Sequence, residues 1–328
     1  MANISITTKC NKKCRYCFAS NSDNFMEGQT FEQTLDFLER SGIKEVRILG
    51  GEPTLHPGFS VFVRAALNRG FGILLFSNGY MPESALCFLE ELPAEKVKIL
   101  VNVVTNPESF DGLDKRLVSL FQRLNTKTIP GLNIDTPSIQ LDFLLDIVLG
   151  FNTMRKVRLG LAHPKAEGGN HFLHPRYYPA VGRKIAEFSS KARPYGVGIL
   201  FDCGFVPCMF PESSFSSIGP EMAELGKRCN PILDILPDGQ VASCFPLASL
   251  QQEMLREDLT DTELRNVFSK KQETFRSMML YKKCSNCTYR QHGHCTGGCL
   301  SASMQRQRFS KFTLTVPDCQ GTLLSHFF

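Results

Sequence analysis

Three cysteines lie within eight residues near the start of the chain, in the stretch TKCNKKCRYCFAS. A cubane iron–sulfur cluster normally takes four thiolates. Cys10, Cys14 and Cys17 supply three of them from one loop, which would leave one iron open for a ligand from outside the protein. An open coordination position is where metal chemistry takes place. Cationic side chains in the same stretch could partly offset the negative charge of such a cluster; they are Lys9, Lys12, Lys13 and Arg15.

The other cysteines are unevenly placed along the chain. Of 13 in total, Cys87 stands alone and nine follow from Cys203 onward. We expect a cytoplasmic protein, because MANISITTKC has no apolar segment that would make it a signal peptide. Thiols in that compartment are rarely disulfides, so metal ligation is the leading interpretation of both cysteine-rich regions. Cys87, between Leu86 and Phe88 in a helical pattern, is expected to belong to the core.

Composition excludes several classes of protein. The 328 residues, 42% of them hydrophobic, suffice for one large domain and a smaller one. The net charge of +5 is small and the basic residues are scattered, so the chain does not resemble a nucleic-acid binder. No apolar stretch approaches the roughly 20 residues that span a bilayer. We therefore expect neither a nucleic-acid nor a membrane partner.

Short apolar strands alternate with helical patterns from the start to about Tyr195. This alternation indicates an α/β fold with a parallel sheet and helices outside. Six such units would form an open or partial barrel, with SIQLDFLL (138–145) as the fifth strand. In such folds the chemistry lies at the carboxyl ends of the strands. The residues expected at those ends, besides the cysteine loop, are Gly50, Gly51, Glu52 and Pro53, then Ser77, Asn78 and Gly79, then Asn102 and Arg158.

The spacing Cys10-x3-Cys14-x2-Cys17, with Tyr16 before the last cysteine, resembles the signature of radical S-adenosylmethionine (SAM) enzymes. The GGEP segment after the second strand resembles a second pattern of that family. The resemblance implies a partial (β/α)6 TIM-type barrel over residues 1–196, and a [4Fe–4S] cluster whose open iron chelates SAM. A zinc knuckle or a buried cysteine group is the structural alternative.

The same resemblance implies which residues contact SAM. Glu52 would accept a hydrogen bond from the SAM ammonium, and Gly50 and Gly51 would let the backbone approach closely. Ser77 and Asn78 match the position of a frequent ribose or carboxylate contact. The looser placements are Asn102 and Arg158, for which packing at the rim or a salt bridge is an equally good interpretation.

Residues 197–328 lose the strand–helix alternation and resemble the SPASM extension of radical SAM enzymes, which holds two auxiliary [4Fe–4S] clusters. Seven residues, with His292 and His294 among them, separate Cys287 from Cys295, where the family usually has five. A histidine ligand therefore stays open. Paired Cys-x2-Cys elements are also typical of zinc ribbons, which leaves zinc as the alternative metal.

By the same resemblance the ligands of the two auxiliary clusters interleave along the chain. The fourth ligand of the second cluster is expected to be Cys208, with Cys203 as the other candidate; if neither reaches, an open iron could bind substrate. The first cluster would take Cys284, Cys287, Cys295 and Cys319, and the second would take Cys229, Cys244 and Cys299.

The resemblance implies an oxidoreductase that reductively cleaves SAM to a 5′-deoxyadenosyl radical, which abstracts a hydrogen atom from the substrate. Auxiliary clusters favour a net oxidation, and many SPASM-type proteins resemble maturases that crosslink ribosomal peptides. Peptide modification is therefore the first expectation. The partners would be a peptide, an external electron donor of the flavodoxin or ferredoxin type, and a separate leader-peptide recognition protein, because the barrel begins close to the amino terminus.

Two other functions stay open. One is a dehydrogenase or other C–H functionalising enzyme that acts on a small molecule or a side-chain alcohol. Against its sulfatase-maturase version, Phe245 follows Cys244 where those maturases have an aspartate. The other is a non-catalytic iron–sulfur or zinc scaffold. Asp202, Asp234 and Asp238 are possible bases, although each is more typical of a turn or a cap, and Cys203, Cys208 or Cys87 could donate a hydrogen atom.

Overall fold

One sheet of ten strands organises the computed structural model, which describes residues 2–19, 22–103, 112–219, 225 and 229–308. Its strands are β1 (Ala2–Thr7), β2 (Glu45–Gly50), β3 (Gly72–Ser77), β4 (Val97–Asn102), β5 (Thr128–Ile134), β6 (Lys156–Leu161), β7 (Gly198–Phe201), β8 (Leu233–Ile235), β9 (Gln240–Ala242) and β10 (Gln252–Met254). They lie in the order β10-β9-β8-β1-β2-β3-β4-β5-β6-β7.

The strands from β1 to β7 run parallel, each beside its successor along the chain. Parallel neighbours need crossover connections, and helices supply most of them. The helices are α1 (Gly28–Arg40), α2 (Phe59–Asn68), α3 (Glu83–Glu91), α4 (Lys115–Arg123), α5 (Asp142–Gly150), α6 (Tyr178–Ala192), α7 (Phe215–Ile218), α8 (Asp261–Glu273), α9 (Thr288–Gln291) and α10 (Leu300–Arg308). This open, predominantly parallel sheet confirms the predicted α/β class.

The core lies between the sheet and the apolar faces of the helices. In β4, Val97, Ile99 and Val101 are all fully buried, and because side chains alternate along a strand they form one apolar face that the core covers. In α1 the buried side chains recur at helical spacing, and Phe31 stacks on Phe62 of α2 with ring centroids 4.2 Å apart. These contacts hold in place the strands that carry polar residues toward their carboxyl ends. We call these residues the polar rim: Ser77, Asn78, Asn102 and Arg158.

The predicted fifth strand was wrong. SIQLDFLL (138–145) instead runs into α5, whose buried residues Phe143, Leu144 and Ile147 follow helical spacing. The strand is TIPGLNI, β5, which pairs with both β4 and β6. Pro130 and Gly131 within it are typical of turns, and they concealed a strand that the rest of the sheet imposes.

The sheet also extends past the six predicted strands. Strand β7 adds a seventh parallel member beside β6. On the other side, β8 pairs parallel with β1, and β9 and β10 continue from it as antiparallel strands. One sheet therefore crosses the position between 196 and 197 where the two predicted domains meet, and the division into domains stays a prediction.

Cys87 was wrongly placed in the core, because it is exposed on α3. Its neighbours Leu86 and Phe88 are buried, but the Cys87 side chain points to the solvent side, where Glu83 and Arg123 lie beside its sulfur. A residue between two buried neighbours in a helix need not be buried, because each position turns by about 100°. Among the described helices, none has both the length and the hydropathy needed to cross a bilayer.

Replacing Phe31 by alanine should cost about 3–5 kcal/mol of unfolding free energy, because the change removes a fully buried ring and its stacking on Phe62. Val61, one residue before Phe62 and 64% exposed, is the matched control. Its alanine variant should stay within about 0.5 kcal/mol of the parent. Urea unfolding followed by circular dichroism measures both values, and equal midpoints would contradict the assigned core.

Candidate functional site

The first cysteine loop follows β1 at its carboxyl end and brings its three thiols into one region. The Cys17 amide donates to the Cys14 carbonyl oxygen at 3.0 Å, and the Lys12 amide points at the Cys10 sulfur at 3.4 Å. Burial raises the pKa of Cys10 and of Cys14, and the charge of Cys17 raises both further. Thiols that destabilise one another's thiolates in this way are a donor set that a bound cation would relieve.

The GGEP segment is packed directly under the cysteine loop. The Gly51 amide donates to the Thr7 carbonyl oxygen and the Glu52 amide donates to the Lys9 carbonyl oxygen, both at 2.8 Å. A Cβ atom on Gly50 would collide with the backbone of Thr7, and one on Gly51 would collide with the backbone of Lys9. The close approach of two protein loops therefore requires both glycines. This requirement is independent of the SAM contact that the sequence analysis predicted for them.

The Glu52 carboxylate is fully buried and is bound by protein donors. Oε1 accepts from the hydroxyl of Thr54 at 2.7 Å, the hydroxyl of Ser77 reaches both oxygens at 3.0 Å, and Oε2 accepts from the Asn78 amide at 2.8 Å. Burial raises the pKa of Glu52, and these hydrogen bonds oppose the rise. In this structure the carboxylate ties β2 to β3, and its predicted bond to the SAM ammonium stays a prediction.

Asn78 connects the end of β3 to the cysteine loop. Its side-chain nitrogen lies 3.7 Å from the Cys10 sulfur and donates to the Asn11 side chain at 2.8 Å, while its oxygen accepts from the Tyr80 amide. Sequence reasoning placed Ser77 and Asn78 at a cofactor site, and the structure brings both into contact with Glu52 and brings Asn78 beside Cys10.

Three of the cations in the cysteine stretch differ in their surroundings: Lys9, Lys12 and Arg15. Lys12 lies 3.4 Å from the ring centroid of Tyr80, and its charge is among the effects that lower the pKa of Cys14. Arg15 is instead ion-paired with the buried carboxylate of Asp135. Lys9 pairs with Asp23 at 3.3 Å. Of these three, Lys12 is the cation that the structure places in electrostatic contact with the thiols.

A second polar group joins the ends of β4, β5, β6 and β7. The Arg158 guanidinium donates to the side-chain oxygens of Asn102 and Asn133 and forms an ion pair with Asp202. Burial alone would raise the pKa of Asp202, but Arg158 outweighs it and holds the pKa below its usual value. The structure thus brings Asn102 and Arg158 together as part of a salt-bridged network, and their contact with SAM stays a prediction.

Tyr16 connects this network to the cysteine loop. Burial and the nearby Cys14 raise the pKa of its hydroxyl, which also hydrogen-bonds the Asn133 side chain. Sequence reasoning missed Asn133 because it lies in the strand β5 that was not recognised. The apolar residues Ile129, Leu132 and Ile134 of TIPGLNI were the signal that could have found it.

The C-terminal cysteines fall into two groups in the structure. Four of them line a single pocket together with Leu280, Tyr281 and Arg290. We call these four the outer set: Cys208, Cys284, Cys287 and Cys295. The Gly297 amide points at the Cys295 sulfur at 3.4 Å. Cys208 therefore lies with Cys284, Cys287 and Cys295, whereas the sequence analysis grouped it with Cys229, Cys244 and Cys299.

We call the other four described C-terminal cysteines the inner set: Cys203, Cys229, Cys244 and Cys299. Cys299 is buried and the other three are half-buried. Burial raises the pKa of Cys244 well above its ordinary value, and the charges of the other three raise it further. Arg276 donates to the Cys229 sulfur at 3.3 Å and to its carbonyl oxygen at 2.7 Å.

The remaining candidate ligands of the C-terminal region are Cys319 and two histidines, His292 and His294. Cys319 lies outside the described residues. His292 and His294 stack with centroids 6.3 Å apart, and His292 Nδ1 lies 2.9 Å from the Thr288 carbonyl oxygen. Across the described ranges, no three His, Cys, Asp or Glu side chains are arranged to hold a single metal ion.

The three aspartates considered as bases have structural partners. Asp202 pairs with Arg158, and the Asp238 side chain accepts from the Gln240 amide in a turn. Asp234 accepts from the Asn3 side chain and from the Phe245 amide, and burial raises its pKa to about 7. Asp238 thus has the turn role that the sequence analysis favoured, whereas Asp202 belongs to the salt-bridged network of Arg158 and Asp234 lies within the strand β8.

Residues 4–148 match the family model of the Radical SAM superfamily. This segment is a radical SAM domain. It contains the cysteine loop, the GGEP segment and the Ser77–Asn78 pair, and it spans β1 to β5. The donor set of three adjacent thiols fits the three-thiolate cluster of that family. Asn102 belongs to the same matched segment, whereas Arg158 and the C-terminal cysteines lie beyond it.

Solved structures resemble almost the whole chain, including the part beyond the radical SAM domain. SuiB of Streptococcus suis, in a crystal structure with precursor peptide SuiA, is 18% identical with a TM-score of 0.68, covering 91% of this chain and 71% of SuiB. Native anSMEcpe with bound AdoMet is 16% identical with a TM-score of 0.63, covering 94% and 95%. At these identities the likeness shows the fold.

The curated relatives each match less than half of this chain. The GTP 3′,8-cyclase of Helicobacter pylori (strain ATCC 700392 / 26695) is 27% identical, over 40% of this chain and 48% of the relative. An S-adenosylmethionine-dependent nucleotide dehydratase of Selenomonas ruminantium is 38% identical, over 44% and 60%. The chain thus spans about half the length of the curated relatives it matches.

Replacing Gly51 by alanine should prevent iron binding at the first cysteine loop, because the new methyl group would push the Lys9 backbone away and displace Cys10. Iron content after anaerobic reconstitution should fall by about four atoms per chain, one cubane's worth. Gly150→Ala is the control, because a Cβ atom there meets nothing within 4 Å. Full iron content in the Gly51 variant would show that the close approach of the two loops is not required.

Proposed function

We propose that this chain is a radical SAM enzyme that oxidatively modifies a peptide, by crosslinking or a related C–H functionalisation. The observation that carries the proposal is the first cysteine loop, whose three thiols stand at the carboxyl end of β1 on top of the GGEP segment. A [4Fe–4S] cluster there would keep one iron open for SAM. When bound, the cluster and SAM supply the abstraction of a hydrogen atom from an unactivated C–H bond.

The chain's own residues position these groups. Cys10, Cys14 and Cys17 would ligate the cluster, and the Asn78 amide beside the Cys10 sulfur would orient and stabilise one thiolate. The polar rim continues through Ser77 to Arg158, and these side chains would hold SAM or the substrate in a fixed orientation. Orientation of this kind is what the protein contributes when a cofactor carries the reactive step.

The C-terminal region would hold two auxiliary [4Fe–4S] clusters, as a SPASM domain does. Eight described cysteines lie there in two groups, the inner and the outer set. Two clusters would accept an electron from the substrate radical and so favour net oxidation. Several described thiols in both sets have a raised pKa through burial, and cluster binding would remove the cost of forming buried thiolates.

A peptide substrate is favoured over a nucleotide by two observations. The fold likeness to SuiB, whose structure contains a precursor peptide, covers 91% of this chain, whereas the nucleotide enzymes match 40–44% of it. In addition, two arginines at the rim are already neutralised, because Arg15 pairs with Asp135 and Arg158 with Asp202. Neither offers an unpaired charge to a triphosphate.

The second candidate substrate is a nucleotide. It is favoured by the 38% identity to a protein named as a nucleotide dehydratase, which is higher than the identity to either of the two solved structures named above.

For either substrate, we place the reaction in the cytoplasm. An external flavodoxin or ferredoxin would supply the electron, and a separate protein would recognise the leader of a peptide substrate.

Anaerobically reconstituted protein should convert SAM to 5′-deoxyadenosine and methionine when dithionite is added, even without substrate. Cys14→Ala should reduce 5′-deoxyadenosine to the level of a protein-free control. Cys87→Ala should leave the rate unchanged, because that thiol is exposed on α3. Liquid chromatography with mass spectrometry measures the product, and its absence from the parent protein would exclude a radical SAM enzyme and favour a scaffold.

The substrate class is tested in the same assay. Short peptides encoded beside the gene for this chain should lose two hydrogens, seen as a mass decrease of about 2 Da, whereas the four ribonucleoside triphosphates should be recovered unchanged. A modified triphosphate together with unmodified peptides would overturn the peptide assignment and leave the SAM chemistry standing.

A further inference from the structure

Acidic residues are absent from one long segment of the C-terminal region. Residues 274–308 contain no Asp or Glu, although the net charge of the whole chain is only +5. The cations of this segment are Arg276, Lys282, Lys283, Arg290, Arg306 and Arg308. This segment alone therefore accounts for the positive charge of the chain, and it is the part that would attract an anionic partner.

Two of these cations line one cavity. Arg276 and Arg290 border a space of about 340 Å³, and the other residues that line it are Gln291, Cys295 and Thr296. We call this cavity the arginine pocket. Its lining includes two guanidinium groups and no carboxylate. The arginine pocket is thus a concave site of positive charge.

Uncharged groups hold Arg276 in place. Its guanidinium donates to the Gln272 side-chain oxygen at 2.9 Å and to the Cys229 carbonyl oxygen at 2.7 Å. Arg69 and Arg265, in contrast, are each neutralised by a carboxylate at 2.6 Å. The protein therefore positions the charge of Arg276 without pairing it to a protein carboxylate.

Arg290 supplies the second charge of the arginine pocket. It lies in α9 and is half-buried, and no described carboxylate pairs with it. The next residue, Gln291, is exposed, so the pocket can be reached from the solvent. A guanidinium matches the geometry of a carboxylate through two parallel N–H···O bonds. Two guanidinium groups on one cavity therefore favour a carboxylate ligand.

The arginine pocket lies outside the radical SAM domain, because all its lining residues follow the matched residues 4–148. Its volume is near the lower end of the range for ligand cavities, about 300–1,000 Å³. The pocket therefore suits one side chain of a longer ligand. A substrate that also presents a C–H bond at the first cysteine loop must extend between two regions of the protein, as a peptide can.

We propose that the arginine pocket is a recognition site for an acidic side chain of the peptide substrate, whose carboxylate binds Arg276 and Arg290. The proposal rests on the proposed function, since it takes the substrate to be a peptide. The acidic residue is held by the C-terminal region and is distinct from the residue that reacts. The pocket thus selects peptides that carry Asp or Glu at a distance from the reacting position.

Binding of a labelled peptide tests the recognition site without any turnover. The probe is a fluorescein-labelled peptide with a run of aspartates, and its matched control has asparagines in their place. Fluorescence anisotropy is measured anaerobically on the reconstituted full chain. The aspartate probe should bind at least about tenfold more tightly than the asparagine probe, because each charge-assisted hydrogen bond contributes more than a neutral one.

Three variants locate the binding of the probe. Arg290→Gln should weaken binding of the aspartate probe by about tenfold, because it removes one guanidinium from the pocket. Gln291→Glu should also weaken it and Gln291→Lys should tighten it, since each changes the charge at the pocket by one unit. Lys44→Glu is the control, because Lys44 is exposed directly before β2, at the amino end of that strand.

Several results would overturn the recognition site. They are equal binding of the two probes, an equal loss in Lys44→Glu, and unchanged binding in Arg290→Gln and in both Gln291 variants. Iron content is measured for every variant. If Arg290→Gln loses iron, the exposed Gln291 pair decides, and a Gln291 pair that binds the probe like the parent would limit Arg290 to a role beside the outer set.

ATP separates a carboxylate site from a phosphate site. Under the proposal, ATP competes with the aspartate probe no better in the parent than in Arg290→Gln. Tight ATP binding that is lost in Arg290→Gln would assign the arginine pocket to phosphate and overturn the carboxylate. Probe binding without modification of any peptide would contradict the proposed function alone, whereas unaltered peptide modification by the pocket variants would contradict the recognition site alone.

Discussion

The structure depends on the close approach of two backbones, the cysteine loop after β1 and the glycine pair after β2. The amides of Gly51 and Glu52 bond to the carbonyl oxygens of Thr7 and Lys9, so the path of the loop is set by its neighbour before any cofactor binds. The buried Glu52 carboxylate then joins that neighbour to β3 through Ser77 and Asn78. These hydrogen bonds join the carboxyl ends of β1, β2 and β3, and they determine where the thiols of the cysteine loop lie.

Buried ionisable groups govern the rest of the molecule. Burial raises the pKa of the Cys10, Cys203, Cys244 and Cys299 thiols, which costs free energy whenever a thiolate forms without a partner. Metal clusters bound by these thiols would offset that cost and would couple folding of these regions to cluster assembly. Arg158 and Asp202 avoid the cost of an unpaired buried charge without a metal, because the two side chains neutralise each other.

The sequence was sufficient for the α/β class, for most helices and strands, and for the grouping of Glu52, Ser77 and Asn78 near Cys10, because hydrophobic periodicity and motif spacing are local. It failed at β5, where Pro130 and Gly131 suggest a turn while pairing with β4 and β6 makes a strand. It also placed Cys87 wrongly, since burial depends on the angle of a side chain around the helix. Partners distant in sequence, such as Asn3 and Asp234, follow from tertiary packing and could not be read from spacing.

The end of β7 connects the two regions of cysteines. Asp202 bonds through its carboxylate to Arg158, which reaches Asn133 and, through it, Tyr16 of the first loop. The next residue along the chain is Cys203 of the inner set. A rigid polar path of side chains therefore runs from the first cysteine loop to the inner cysteines. Because these contacts join neighbouring strands of one sheet, we expect the spacing between the first cysteine loop and Cys203 to be set by the fold.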